Sequence, residues 1–417
     1  MSLLINVLPL IVVVVLLFKK KHMLLAGFAG GVLAIIIGGL EFSAATKMFV
    51  DGIANMLGIT VPIIYAASAA MVSKAGSIES LVELSRRALK GKISILAGIL
   101  VLIQGFATYM AGMGAGNTMV TAPLVAAAVG AVPEVVAAMA IITAVGFTTS
   151  PASTETILSA NSAGVDVMVH ASNMMIYTIV FYILAAALAV YGVYKRGTLI
   201  KKDTKAQDSY SSKSNGALLK QSIPAIALLV MVVGGGKLNA LIGFNLFSPA
   251  TAVIITSVLT VILSPLNVDE TCESLIDGSR FILTTLFAVG IFLSFINMIG
   301  ELGTFQQIAS IAGSVPESII LPVAIIIAFL IAIPSGAFTA GVLTLILPTL
   351  SALGLSSQAM GFVAIATGLG TQISPVQINV AALAKGFEAD IIDIIKMNLK
   401  YVIGALVLLI IIAVVAV

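Results

Sequence analysis

The stretch "AIITAVGFTTSP" (Ala140–Pro151) is written a second time as "AIATGLGTQISP" (Ala364–Pro375). The copies share A-I-x-T-x-x-G-x-x-x-S-P at an offset of 224 residues, from Ala140 to Ala364. Proline inside a helical run removes a backbone donor and collides with the preceding turn. Each copy therefore predicts a helix interrupted near its Ser-Pro, and the matched placement predicts a duplicated fold.

The 417 residues are 60% hydrophobic and only 9% charged, where a soluble domain carries about a quarter charged residues. Runs such as 3–18, 23–40 and 401–417 are long enough to cross a bilayer core as helices. The chain reads as an all-α polytopic membrane protein whose first partner is the lipid bilayer. A net charge of +3 in short basic clusters gives no reason to expect a nucleic-acid partner. The single cysteine, Cys272, leaves no intramolecular disulfide and no cysteine metal cage. Lys19, Lys20 and Lys21 follow the first apolar run, and no A-x-A site ends it, so it is expected to be a retained span.

Lys and Arg collect in cytoplasmic loops. Here they cluster at 19–22, at 74–92, in the polar segment 195–220 and again at Lys385, Lys396 and Lys400. The expected order is an N-terminal repeat at 1–194, a cytoplasmic linker at 195–221 ("KKDTKAQDSYSSKSNG" within it) and a C-terminal repeat at 222–417. In the first repeat, spans at 2–18, 23–41 and 53–73 precede an amphipathic surface helix at 78–91. A re-entrant hairpin at 93–132, a broken span at 134–164 and a span at 171–194 follow. The second repeat reads 222–243, 248–265 and 281–299, an amphipathic stretch at 300–316, a hairpin at 317–353, a broken span at 355–384 and a last span at 399–417. Five spans and one hairpin per half, an odd number of crossings, invert the second copy. That arrangement is expected of secondary transporters. It places both termini outside and the linker inside, in a cell (inner) membrane.

Non-helical backbone at membrane depth is tolerated only where protein or a water-filled cavity satisfies it. Four such places are predicted: hairpin tips at Gly112–Thr118 and Ser335–Gly341, and breaks at Thr148–Ser153 and Thr371–Gln377. Half-helix N-termini there suit an anion, and unwound carbonyls with side-chain oxygens suit Na⁺. The candidate substrate-binding residues are Gly116, Asn117, Thr118, Ser150, Ser153, Thr154, Ser335, Gly336, Thr339, Ser374, Gln377 and Asn379. The candidate ion-coupling residues are Asn117, Thr149, Glu155, Thr371 and Gln372. No cofactor is expected, Na⁺ as a coupling ion apart. Glu155 lies four residues after Pro151, and an intramembrane carboxylate is a candidate proton carrier. Its counterpart in the second copy is Asn379.

Glu134 is expected in the first turn of its helix. Asp166 and His170 are expected in a short loop, and Asp269, Glu270, Glu273 and Asp277 in a solvated connector. No H-E-x-x-H or G-x-S-x-G motif is present, and both histidines, His22 and His170, fall in predicted loops, so an enzyme is not expected.

In its paired hairpins and Ser-Pro breaks the chain resembles the ion-transporter superfamily of secondary carriers. Its second half, "GTQISPVQINVAALAKGFEADIIDIIKMN" (Gly370–Asn398), is similar to the anaerobic C4-dicarboxylate carrier branch. There an "SP-V" break precedes a small-residue helix and a short amphipathic stretch with a late Lys. The branch tends to carry an acid just past its first break, where Glu155 stands. The resemblance implies a secondary carrier of a C4-dicarboxylate or related carboxylate, coupled to H⁺ or Na⁺ and moving by an elevator-type alternation. A homodimer is expected, with 23–41, 53–73, 248–265 and 281–299 as its stationary scaffold. The alternatives are a carrier of gluconate, lactate, citrate or arsenite type, or the membrane subunit of a binding-protein-dependent carboxylate system.

Overall fold

The computed structural model describes residues 3–19, 21–199, 210–336 and 339–417. Residues 200–209 of the predicted linker, and Ala337 and Phe338 at the second predicted hairpin tip, lie outside the described residues. The first half contains α1 (Leu3–Phe18), α2 (Met23–Gly38), α3 (Phe42–Leu57), α4 (Thr60–Lys74) and α5 (Ser77–Ala88). It continues with α6 (Ile93–Ala111), α7 (Ala115–Val129), α8 (Pro133–Thr149), α9 (Thr154–Ser162) and α10 (Val167–Arg196). The second half contains α11 (Asn215–Ile242), α12 (Pro249–Leu263), α13 (Val268–Gly300), α14 (Thr304–Ser310) and α15 (Ile320–Ser335). It closes with α16 (Thr339–Ala352), α17 (Ser357–Thr371), α18 (Ile378–Gly386) and α19 (Ile391–Ala416). Among the described residues, six helices are long and apolar enough to cross a membrane, or up to eight if each of two bent pairs is one span.

The Ser-Pro phrase acts locally in the same way twice. Helix α8 stops at Thr149, and Ser150 is extended (φ −71°, ψ 131°), the conformation favoured before proline. The Ser150 hydroxyl accepts the Ala152 N–H at 3.1 Å, and the Ser374 hydroxyl accepts the Val376 N–H at 3.4 Å. Serine before proline thus closes a two-residue turn at each break. The next half-helix is then capped at matched positions. Ser153 accepts the Thr156 N–H at 3.1 Å, and Gln377 accepts the Asn379 N–H at 3.4 Å. The first break bends its pair by 49°.

Helix α10 shows that the two copies run from opposite faces. Arg196 near its C-terminus binds Glu134 in the first turn of α8, whereas His170 near its N-terminus meets Ser357 in the first turn of α17 at 2.8 Å. Those two α10 residues lie about 39 Å apart at about 1.5 Å of rise per residue. Helices α8 and α17, which pack together, therefore start at opposite ends of the bundle. The hairpins do likewise. Gly98 of α6 packs on Ala186 and Val190, toward the Arg196 end. Ser351 of α16 donates to the Ser162 carbonyl at 2.7 Å, just before the start of α10.

Side chains exchanged between the halves repeat the symmetry. Tyr401 of α19 donates to Glu134 of α8 at 2.6 Å, and Tyr177 of α10 pairs with Gln358 of α17. Each partner of the first pair is related to one of the second by the same 224-residue offset. Glu134 is buried and also takes two bonds from the Arg196 guanidinium, at 2.7 and 2.9 Å.

Several elements differ from the sequence reading. The span expected at 53–73 is a bent pair, α3 with α4 at 42°, which begins at Phe42. Lys47 and Asp51 lower the local hydropathy but sit on the exposed side of an amphipathic helix, which they do not interrupt. The span expected at 281–299 is the C-terminal part of the 33-residue α13. Asp269, Glu270, Glu273 and Asp277 are helical within it rather than in a connector. Glu270 and Asn267 form a reciprocal capping box, both bonds 2.9 Å, at the helix end that favours carboxylates. Helix α11 starts at Asn215, capped by Ser214, seven residues before the expected boundary at 222. The amphipathic stretch expected at 300–316 is the short α14 followed by a 3₁₀ turn at Ile311–Ser314. Asp166 caps α10 by accepting the Met168 and Val169 N–H groups, and His170 is fully buried inside α10 instead of solvated in a loop.

The reciprocal ties should differ in strength, because Tyr401 donates to a carboxylate whereas the Tyr177 hydroxyl accepts from the neutral Gln358 amide. Tyr401→Phe should cost about 1.5–3 kcal/mol and Tyr177→Phe about 0.5–1.5 kcal/mol, the net values of charged and neutral hydrogen bonds. Equilibrium unfolding in detergent measures both; an equal or reversed order would contradict the account of this seam.

Candidate functional site

The four broken pieces converge. Gly112 ends α6 in the left-handed region (φ +66°), and a Cβ there would lie 2.5 Å from the Ala152 carbonyl. Only glycine lets the first hairpin tip lie directly on the first break. Gly336 ends α15 against Thr371, where a Cβ would meet its methyl at 2.9 Å. Each tip thus rests on the break of its own half.

The half-helices then cross over to the other half. Helix α7 packs on α18, and α16 packs on α9. In the first crossing, the Thr118 hydroxyl donates to Asn379 Oδ1 at 2.6 Å. In the second, the Glu155 carboxylate lies near the Ala340 backbone, and Gln377 Nε2 donates to Thr339 Oγ1 at 3.4 Å. Glu155 and Asn379 occupy equivalent places, each set against the N-terminal turn of the opposite hairpin's second arm.

A buried polar chain runs through the first crossing. Gln104 of α6 donates to Thr118 at 2.7 Å, Thr143 at 2.8 Å and Thr108 at 3.2 Å, and accepts from Thr121 at 2.5 Å. Thr118 passes to Asn379, whose Nδ2 donates to Gln372 Oε1 at 2.6 Å. Asn398 of α19 donates to the Gln372 carbonyl at 3.0 Å. All of these residues are buried. A connected network fixes geometry where an unpaired group in low dielectric would be costly.

The remaining candidates fall into place around this chain. Asn117 is 1% exposed; its Nδ2 donates to the Met113 carbonyl at 2.7 Å, and its Oδ1 has no partner among the described residues. Gly116 packs beside Tyr65 and Pro62 of α4. Thr149 is the last residue of α8, donating to the Val145 carbonyl and accepting from Thr178, both at 2.8 Å. Ser150 also donates to the Tyr109 carbonyl of the hairpin at 2.5 Å, and the Ser153 hydroxyl donates to the Ser150 carbonyl at 3.0 Å. Ser335 and Thr371 donate to carbonyls of their own helices. Thr154 is exposed at the start of α9. The hydroxyls of Ser150, Ser153 and Ser374 and the Gln377 amide therefore hold the breaks in shape, while Asn117 keeps an acceptor unspent. Thr118 and Thr149 are helical, so both breaks and the first tip are tighter than expected: 150–153, 372–377 and 112–114.

Two cavities flank the cluster. One of about 190 Å³ brings Thr284, Thr285 and Val289 of α13 to Pro375, Val376 and Gln377 of the second break. The other, of about 540 Å³, lies among Asp51 and Asn55 of α3, Asn297 and Glu301 at the end of α13, Gln306 of α14 and Leu345 of α16. Among the described residues, no group of three or more His, Cys, Asp and Glu is arranged to hold a metal ion.

Gln104, Thr108, Thr121, Thr143 and Asn398 were not among the expected site residues. A signal for the first was present: Gln104 is the one amide in the 19 residues of α6. Thr143 is also the threonine of the repeated phrase.

No protein-family model matches the chain, and no curated protein matches its sequence. Among solved structures, it is similar to the Alcanivorax borkumensis YdaH transporter, whose topology is described as unusual. That likeness covers 91% of this chain and 90% of the other, at 17% identity and a TM-score of 0.40.

The Thr118–Asn379 bond ties the first hairpin to the second break, so the two residues should be energetically coupled. Asn379→Ala and Thr118→Ala should each destabilise by about 1–3 kcal/mol. The double variant should fall short of their sum by at least about 0.5 kcal/mol. Strict additivity in detergent unfolding would mean the bond contributes nothing.

Proposed function

We propose that the protein is a secondary carrier of a small organic carboxylate. The observation that supports this most is the meeting of two 224-related helix breaks with two hairpin tips from opposite faces, all in one buried polar cluster. Such a cluster offers half-helix N-termini to an anion and side-chain oxygens to a cation. Two inverted halves give two equivalent end states, one open to each side. The cluster carries no Lys, Arg or His, so dipoles and neutral donors hold the anion, which favours release as well as binding.

Transport is coupled to H⁺ or Na⁺. Glu155 is the candidate for the proton; the free Oδ1 of Asn117, with the oxygens of Thr149, Thr371 and Gln372, is the candidate for Na⁺. The unpartnered acceptor on Asn117 favours Na⁺. A C4-dicarboxylate is the substrate class that the sequence resemblance implies, with gluconate, lactate, citrate or arsenite-type anions and a binding-protein-dependent system as alternatives. The carrier works in a cell (inner) membrane, and α2, α3 with α4, α12 and α13 form the static part of a homodimer.

The purified chain in liposomes should show counterflow: preloaded unlabelled carboxylate should drive transient uptake of the labelled form. An imposed Na⁺ gradient should raise accumulation several-fold, and a pH gradient alone should not. Flux without counterflow would make the protein a channel, and dependence on a soluble partner would make it a subunit.

A further inference from the structure

The smaller cavity ends at a contact that the carrier reading leaves unused. Its wall on the second break includes Gln377, and Ala381 of α18 continues that wall one turn on. The facing wall is α13, with Val289 and then Thr285. Residues four apart share one face of a helix. One further turn along each wall brings Lys385 on α18 and Phe281 on α13. These two meet: the Lys385 ammonium lies over the Phe281 ring, 5.6 Å from its centroid. The contact therefore spans the two walls one turn beyond the residues that line the cavity.

The walls belong to different parts of the fold. Helix α13 packs on α2, α3 and α4, whereas α18 packs on α7, the second arm of the first hairpin. Gly386, next to Lys385, lies so close to that arm that a Cβ there would be 2.4 Å from the Ala122 methyl. Lys385 thus goes with the hairpins and breaks, and Phe281 with the frame. The cavity lies toward a basic end of the bundle. Met23, also on its lining, begins α2 directly after the exposed Lys21 and His22.

Nearby cations are already paired. Arg280 meets Asp277 at 3.4 Å and Lys396 meets Asp393 at 2.9 Å. None of the ion pairs among the described residues includes Lys385, which is exposed. A cation in the last turn of a helix suits the dipole, but that preference calls for no aromatic partner on another helix. Nor does the repeat require it, because the residue 224 positions before Lys385, near the end of α9, is Asn161. The cation marks one side of the site only.

We propose that this cavity is the cytoplasmic entrance to the second break, and that the Lys385–Phe281 contact is its gate, opened by a carboxylate that draws Lys385 off the ring. This rests on the carrier reading above. A carboxylate offers the ammonium charge-assisted hydrogen bonds that an aromatic face cannot. An arriving anion therefore competes for Lys385 and frees Phe281. It then passes inward to Gln377 and the break, where no cation retains it. Lys385 also concentrates anions at this mouth, an attraction that salt screens.

The test has two readouts in vesicles of one orientation. The first is labelling of Ala381→Cys, in a Cys272→Ser background, by a membrane-impermeant thiol reagent. The second is counterflow of labelled succinate, lactate, gluconate and citrate on the chain without the added cysteine. Lys385→Gln should speed labelling from the cytoplasmic side about threefold or more, because the contact is lost. It should also raise the apparent KM from that side about threefold or more, because recruitment is lost. Lys385→Arg, which keeps the charge and the ring contact, should restore both. Added choline chloride should weaken the apparent affinity of the wild type more than that of Lys385→Gln. Phe281→Leu, the second variant should Lys385→Gln fail to fold, should speed labelling and leave the salt dependence in place. Unchanged labelling in the variants, or an unchanged KM in Lys385→Gln, overturns this inference, and wild-type counterflow then leaves the carrier reading intact. If none of the four acids shows counterflow, both fall.

Discussion

Everything in this structure follows from the requirement that backbone polar groups away from water find partners inside the protein. Helices meet it automatically, and the two Ser-Pro breaks do not. Each break is made tolerable by the same devices: a serine hydroxyl closing the turn, a polar cap starting the next half-helix and a glycine-ended hairpin tip laid against the gap. The loose ends of one half are then covered by helices of the other, so neither repeat is complete alone.

The cost of such breaks explains why they are so well buried. Residues of α8 and α17 on either side of the breaks are almost all out of solvent, and the two helices pack on each other. Around them, α10 and α19 brace the breaks through Thr178 and Asn398. The outer helices α1, α2, α12 and α13 carry exposed apolar side chains such as Phe28, Ile254 and Phe287. Those faces suit lipid or another apolar surface. The division of labour is between a polar, satisfied interior and a greasy frame.

Much of this was legible in the sequence because it is local. The 224-residue repeat, the hairpins and the broken spans follow from glycine, proline and hydropathy over windows of a few turns. Charged residues misled the boundaries, within a helix for Lys47 and Asp51 of α3 and at a helix start for the acidic beginning of α13. What could not be read are pairings between distant residues. Glu134 and Tyr401 are 267 positions apart, and Thr118 and Asn379 are 261 apart. His170 gave no periodic sign that it faces α17. The candidate residues at the breaks came together, yet most of their hydroxyls proved to be structural ties, which residue type alone does not distinguish from ligands.

The central claim is that one buried site, built from both halves, opens to each side in turn. A single cysteine at Thr154, in a Cys272→Ser background that removes the chain's one native thiol, tests it most directly. In oriented vesicles, a membrane-impermeant thiol reagent should reach position 154 from either side, with the balance shifted by transported substrate. Labelling from one side only, unchanged by any substrate that the liposomes exchange, would contradict it.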